Sequence, residues 1–123
     1  NYVARDFFSI SANEAVPEGR HRLCFEFEPT GEPDFAVGKG APGRFQLYVD
    51  GELVANDEFP HTTPAMFELE GLSCGYDSGA PVLPDVYAAP FAFTGTIHEV
   101  VLDVTGELIE DDETTLRRLM AQQ

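Results

Sequence analysis

Residues 20–28 alternate, position by position, between a mainly apolar series and a mainly charged series of side chains. One series reads His21, Leu23, Phe25 and Phe27, and the other reads Arg22, Cys24, Glu26 and Glu28. Successive side chains of a β-strand point to opposite faces of a sheet, so an alternation with a period of two predicts a strand with one face on a core. This pattern restricts the fold more than any other feature, because such a strand requires partner strands.

A two-residue turn follows the next alternating segment. Residues 44–49 place Phe45, Leu47 and Val49 on one face, Asp50-Gly51 comes next, and a further strand continues over residues 52–55. Asp-Gly between two such segments is a strong hairpin signal, because both turn residues must adopt a positive φ. The sequence therefore predicts an antiparallel hairpin with its turn at Asp50-Gly51.

The rest of the chain consists of short apolar segments separated by 11 glycines and 9 prolines. Further strands are predicted over residues 66–69 and 95–104, and a C-terminal helix is predicted to begin at Asp111 or Asp112. The length of 123 residues suits a single domain over residues 1–123. The predicted fold class is all-β: an antiparallel β-sandwich of the jelly-roll or concanavalin A-like kind with a short C-terminal helix.

The charge of the chain excludes two classes of partner. Seven basic and 22 acidic residues give a net charge of −15, and residues 45–116 contain fifteen acidic residues and no basic one. Nucleic acids and anionic membranes both require clustered Lys and Arg, so neither is an expected partner. The acidic segment is either a solvated surface or a face toward a basic partner.

No catalytic, cofactor-binding or metal-binding residue is predicted. The sequence contains no G-x-S-x-G motif, no His/Cys spacing typical of zinc sites and no phosphate-binding loop. His21 and His98 lie in predicted strands, where structural roles are expected, and His61 is the histidine placed most clearly in a loop. Cys24 and Cys74 are predicted to be free thiols, because nothing beyond their even number favours a disulfide.

Five short segments stand in an order that is characteristic of one family. They are Val16-Pro17-Glu18-Gly19-Arg20-His21-Arg22-Leu23, Val37-Gly38-Lys39-Gly40, Leu47-Tyr48-Val49-Asp50-Gly51, Cys74-Gly75-Tyr76-Asp77-Ser78-Gly79-Ala80-Pro81-Val82 and Phe93-Thr94-Gly95-Thr96-Ile97. Together they resemble the C-terminal segment of bacterial arylsulfatases, and the resemblance covers nearly the whole chain.

The resemblance implies a β-sandwich that follows the α/β catalytic domain of a sulfatase. It implies a parent enzyme that hydrolyses sulfate esters with a formylglycine and a divalent metal, usually calcium. Neither cysteine of this chain stands in the C-x-P-x-R motif of the modified residue, so we expect the chain itself to be no enzyme and to hold no cofactor. The chain begins at Asn1 without a Met or a signal-peptide pattern, and we expect it to be the C-terminal fragment of a longer sulfatase chain. The bacterial cytoplasm and the periplasm both stay open as its location.

Two functions remain open at this stage. The first is a non-catalytic accessory domain that packs on its own catalytic domain, on another subunit or on a second copy of the chain. The alternative is an independent jelly-roll module that binds a carbohydrate or another ligand. In either case the predicted contact loop lies within residues 75–87, where glycines bring the backbone close to a partner; its candidate residues are Tyr76, Asp77, Gly79, Pro81, Asp85 and Tyr87.

Overall fold

The computed structural model describes residues 1–64, 71–79 and 81–105, and these residues form an all-β structure. The strands are β1 (Leu23–Pro29), β2 (Gly43–Val49), β3 (Glu52–Phe59), β4 (Tyr76–Asp77) and β5 (Phe91–Ala92). A single 3₁₀ turn at Phe35–Val37 is the one helical element among the residues described. The all-β prediction is therefore confirmed for this part of the chain.

The strands form two antiparallel sheets. The larger sheet has the order β1-β2-β3, and the smaller sheet pairs β4 with β5. In the larger sheet Leu23 lies opposite Val49, Phe25 opposite Leu47 and Phe27 opposite Phe45. Residues that lie directly opposite each other in an antiparallel pair share a face, so the apolar series of both strands lie on one side of the sheet, as the alternation predicted.

The turn between β2 and β3 has the geometry that the sequence predicted. Asp50 has a φ of 53° and Gly51 a φ of 88°. Two consecutive residues in the left-handed region match the right-handed twist of the strands on either side, which is why Asp-Gly suits this position. The hairpin prediction is confirmed, and β3 continues to Phe59 rather than ending at residue 55.

A β-bulge explains why β3 is longer than its sequence pattern suggests. Tyr48 lies opposite Leu53, but the preceding residue Leu47 lies opposite Ala55, which leaves Val54 as an extra residue on β3. An extra residue shifts the alternation of side chains by one position and interrupts the period of two. A pattern read from the sequence alone therefore stops at the bulge.

One face of the larger sheet is aromatic. The Phe45 ring centroid lies 4.3 Å from that of Phe59, 4.8 Å from that of Phe27 and 5.6 Å from that of Phe25. Phe8 of the N-terminal segment stacks on Phe59 at 5.1 Å. We call these five residues, Phe8, Phe25, Phe27, Phe45 and Phe59, the aromatic face.

The opposite face of the sheet is polar and carries a row of charges across all three strands. Arg44 lies opposite Glu28 on β1 and opposite Glu58 on β3. Its guanidinium nitrogens lie 3.4 Å from a Glu28 oxygen and 3.7 Å from a Glu58 oxygen. These groups are exposed, so the row contributes little to stability compared with the aromatic face behind it.

The strand prediction for residues 95–104 is wrong. These residues alternate in sequence as a strand would, but they form no strand. Among the residues described, none of their backbone groups bonds to another strand. Alternation indicates which residues a strand would bury, but it does not supply the neighbouring strand.

Three other predictions have different outcomes. The strand predicted over residues 66–69 and the C-terminal helix lie outside the described residues. Cys24 and Cys74 are both free thiols, as predicted.

Candidate functional site

The structure brings three of the six predicted contact-loop residues, Asp77, Gly79 and Tyr87, into direct contact. The Tyr87 hydroxyl donates a hydrogen bond of 2.5 Å to Oδ2 of Asp77 and accepts one of 2.8 Å from the backbone N–H of Val82. The Asp77 Oδ1 accepts the N–H of Gly79 at 3.3 Å. These bonds close the loop between β4 and β5 on itself.

The remaining candidates, Tyr76, Pro81 and Asp85, do not gather around these three residues. The Pro81 carbonyl accepts a hydrogen bond of 3.2 Å from the Asn1 side chain, which ties the loop to the N-terminal segment. Asp85 and Tyr76 are exposed. The polar groups of Asp77 and Tyr87 bond to the loop itself. Tyr76 is 51% exposed and Tyr87 is half-buried, so Tyr76 is the more accessible of the two tyrosines.

Gly75 holds the base of the loop in place. Its φ is 80°, in the left-handed region, and its carbonyl accepts the N–H of Phe93 at 2.8 Å. A Cβ atom at this position would lie 2.5 Å from Cδ1 of Ile97. Glycine is required here for its conformation and for the close approach of Ile97.

A second cluster, centred on His61, was not predicted. His61 is 6% exposed, and its Nε2 lies 3.1 Å from Oδ2 of Asp6. The rings of Tyr2 and Phe8 meet its ring edge-on, with centroids 4.6 Å and 5.2 Å away. The sequence signal was weak, because His61 and Asp6 are 55 positions apart and neither lies in a motif.

This cluster forms one wall of a cleft of ≈320 Å³ over the aromatic face. The polar atoms around it bond mainly to the backbone: the Tyr2 hydroxyl donates to the Gly38 carbonyl at 3.1 Å, and the Thr63 hydroxyl donates to the Asn1 carbonyl at 3.2 Å. The cleft is consequently an apolar surface with few groups available for chemistry; its lining is Asn1, Tyr2, Phe8, Ser9, Ile10, Phe25, Phe45, Leu47, Phe59, His61, Thr62, Thr63 and Val82.

A second histidine–aspartate pair stands at the hairpin turn. The His21 Nδ1 lies 2.7 Å from Oδ2 of Asp50, while Oδ1 of Asp50 accepts the N–H of Arg22 at 2.9 Å. The hydrogen bond with Asp50 raises the pKa of His21. The Arg22 N–H, and then the His21 side chain, lower the pKa of Asp50. Asp50 therefore fastens the turn to the chain entering β1.

Neither histidine–aspartate pair is joined by the nucleophile, such as a serine or a cysteine, that nucleophilic catalysis requires. Within residues 1–64, 71–79 and 81–105, no serine or cysteine forms a hydrogen bond with a histidine. The described part of the chain contains no group of three or more His, Cys, Asp or Glu residues arranged to hold a metal ion. No helix among these residues has the length and apolar character needed to cross a membrane.

The exposed apolar surface at Leu23 and Phe25, beside the rest of the aromatic face, is the feature that most clearly fits a partner. Leu23 is 62% exposed and Phe25 is 60% exposed, although both belong to the apolar series of β1. Among the residues described, the buried apolar side chains are Tyr2 and Ala41. Contiguous exposed apolar surface of this kind marks interaction sites in soluble proteins.

Comparison with known proteins assigns the chain to no family: no protein-family model, no curated protein and no solved structure matches it.

Proposed function

We propose that this chain is a non-catalytic accessory domain of an arylsulfatase-like sulfuric ester hydrolase, which packs on the catalytic domain or shapes the rim of its active site. The five motifs that resemble the C-terminal segment of bacterial arylsulfatases support the family. The observation that carries the accessory role is the uncovered aromatic face. Burying a Leu or Phe side chain stabilises a structure by about 1.5–3 kcal/mol, so covering Leu23 and Phe25 favours docking of another domain.

The fold we propose for the complete domain is a β-sandwich of the jelly-roll kind. The three-stranded sheet would be one layer, and the region around β4 and β5 would belong to the other. Val82, which follows β4, lines the cleft together with Phe25 and Leu47 of the larger sheet. This arrangement supports a second layer over the half-buried part of the aromatic face at Phe45 and Phe59, because sandwich cores form between two such inner faces. Leu23 and Phe25 would stay at its exposed margin.

The chemistry of sulfate ester hydrolysis is proposed to lie in another domain of the parent enzyme. The formylglycine and the calcium ion that the resemblance implies have no counterpart motif here, because Tyr76 and Ser78 follow Cys74 where C-x-P-x-R would place Pro and Arg. The acidic residues of the segment 45–116 would also repel an anionic sulfate. The role left to this chain is to bind and position.

The first experiment tests whether the chain has activity of its own. The purified chain, supplied with calcium, is expected not to hydrolyse 4-nitrophenyl sulfate. Turnover that follows the chain through purification would contradict the accessory role. The coding sequence before Asn1 provides the matching test of the family, because the proposal requires a C-x-P-x-R or S-x-P-x-R motif upstream.

The second experiment tests the docking surface. Phe25→Lys is expected to abolish co-purification of this chain with the separately expressed upstream domain, because it places a charge on the aromatic face. Glu26→Lys is the matched control, since Glu26 is the neighbouring residue on the opposite face of the same strand. Equal binding by both variants would place the contact elsewhere.

The purified chain also serves to distinguish the accessory domain from the alternative, an independent ligand-binding module. Titration calorimetry with soluble oligosaccharides is expected to give no heat of binding beyond dilution. Micromolar binding that Tyr76→Ala removes would favour the independent carbohydrate-binding module and would contradict our proposal.

A further inference from the structure

Among the residues described, the outer edges of β1 and β3 lack a partner strand, and so does one segment near residue 100. The edge of β1 and this segment carry complementary charges. β1 pairs with β2 on one side and with no strand on the other side, among the residues described. Residues 98–103, which we call the donor segment, have the alternation of a strand, but their backbone groups bond to no described strand. The Asp103 carboxylate accepts the N–H of Thr105 at 3.1 Å. Val101 and Leu102 of this segment are 70% and 67% exposed. Open edges of this kind are templates for pairing with another strand.

The charges at the two edges are complementary. Arg20 and Arg22, at the entrance to β1, form no ion pair with any described residue. The donor segment carries Glu99 and Asp103, two acidic residues on the same face of a strand. Arg20 and Arg22 likewise share a face, so the N-terminal end of the β1 edge offers two positive charges and the donor segment offers two negative ones.

The backbone of β1 indicates how a strand would add. The N–H of Arg22 bonds to Asp50 Oδ1, and its carbonyl accepts the N–H of Asp50, so both groups point toward the hairpin. In an antiparallel strand successive residues direct these groups to opposite sides. The N–H and carbonyl of Leu23 and Phe25 therefore point to the open edge.

We propose that the donor segment of a second copy of the chain adds to β1 as an antiparallel strand, in the register that sets Cys24 opposite Glu99. In this register Leu23 lies opposite Val100 and Arg20 lies opposite Asp103, while Arg22 lies diagonally between the two acidic residues. A shift of two residues in one direction would set Asp103 opposite Arg22 but Glu99 opposite Glu26, and the opposite shift would set Glu99 opposite Arg22 but Asp103 opposite Glu18. Each alternative thus combines one attractive pair with one repulsive pair, whereas the proposed register has an attractive pair and no repulsive one.

A second copy is the partner because one chain does not bring the two edges together. Within the described chain, Ile97 packs at Gly75 beside the smaller sheet, and no backbone hydrogen bond joins the donor segment to β1. Two copies related by a two-fold axis each give one donor segment and receive one. Such an exchange is self-complementary and closes at a dimer. It does not depend on the sulfatase proposal, and it leaves the aromatic face accessible.

The native Cys24 makes this register testable. Since the Arg22 backbone points toward the hairpin, Cys24 is a non-hydrogen-bonded position at the open edge, where opposite Cα atoms are about 4.5 Å apart, within the range of a disulfide. In a Cys74→Ser background, Glu99→Cys is expected to yield a disulfide-linked dimer under mild oxidation. Val101→Cys, one register step along the same face, and Val100→Cys, on the opposite face, are the matched controls and are expected to remain monomeric on non-reducing gels.

Three results would overturn the proposal: no disulfide with Glu99→Cys, a disulfide within one chain, or equal crosslinking by the controls. A reversal of charge gives an independent test without cysteines. Arg20→Glu is expected to raise the dimer dissociation constant in sedimentation measurements by about tenfold, because the like charges occur twice across the axis. Adding Asp103→Arg is expected to restore dimerisation, and failure of this rescue would contradict the register.

Discussion

Asp50 has two roles in a single residue. Its backbone, at a φ of 53°, forms the first half of the hairpin turn. Its carboxylate receives the Arg22 N–H and faces the His21 ring. An asparagine would adopt the same turn but would provide one acceptor oxygen instead of two, so the carboxylate is what joins the turn to the start of β1.

This pair gives the stability of the chain a pH dependence. The pKa of His21 lies above its ordinary value of 6.5, so its contribution to stability is complete below pH 6.5 and is lost as the pH rises through the folded-state pKa. The pKa of Asp50 lies below its ordinary value of 3.8, so its contribution is present above pH 3.8 and is lost as the pH falls through the lowered pKa. The pair stabilises the fold most between these two ordinary values.

We therefore expect the wild-type chain to lose its advantage over His21→Asn when the pH rises from about 5.5 to about 8.5. The measurement is the urea midpoint of each chain at both values. His98→Asn is the control, because it removes a histidine that forms no hydrogen bond with a described residue, and the loss shown by His21→Asn is measured relative to it. A His21→Asn difference that is constant over this range would show that the pair does not titrate.

The glycines at residues 51 and 75 separate two costs of adding a side chain: the cost of a left-handed backbone conformation and the cost of a steric clash. Both have φ in the left-handed region, at 88° and 80°, but a Cβ at Gly51 would meet nothing within 4 Å, whereas one at Gly75 would meet Ile97. Gly51→Ala is expected to cost about 1–2 kcal/mol for the backbone alone, and Gly75→Ala is expected to cost more. Urea unfolding of both variants checks the order, and equal losses would show that Ile97 moves aside freely.

At the scale of the element, β2 supports the larger sheet through one of its two faces. Phe45 contacts three other rings of the aromatic face, while the adjacent Arg44 forms exposed ion pairs on the other face. Dispersion and burial act on the first residue, and solvent screens the second.

Phe45→Ala is accordingly expected to destabilise the chain by about 2 kcal/mol or more, somewhat below the range for fully buried phenylalanines. Arg44→Ala is expected to cost less than about 1 kcal/mol. The free energies of unfolding from urea titrations decide between them. If the two substitutions cost the same, the charged row and not the aromatic face would hold the strands together.

The sequence could predict the elements whose signals are local. The alternation of residues 20–28 and the Asp50-Gly51 turn each depend on neighbours in the chain, and both were predicted correctly. The length of β3 could not be predicted, because Val54 interrupts the period of two. The strand over residues 95–104 failed for a different reason: its pattern is that of a strand, but a strand also needs a partner, and no sequence pattern names that partner.

At the scale of the whole molecule, one part of the candidate site could be predicted from the sequence and another part could not. The contact between Asp77 and Tyr87 fell within a predicted loop, because turn-forming glycines mark loops in the sequence. The cleft beside His61 was missed, since its lining combines the N-terminal segment, all three strands of the larger sheet, residues 61–63 and Val82, which are distant in sequence. The net charge of −15 predicted which partners to exclude, but not where an apolar partner would bind.

The extra residue at Val54 has a consequence for how this domain tolerates deletions. After the bulge, Phe59 falls on the aromatic face opposite Gly43, and Glu58 falls beside Arg44. Removing one residue there would turn every later side chain of β3 to the other side of the sheet. Phe59 would then point away from Phe45 and Phe8, and the charged row would lose Glu58. A frame-preserving deletion of a single codon would thus dismantle both faces at once, whereas a substitution at Val54 would leave them intact.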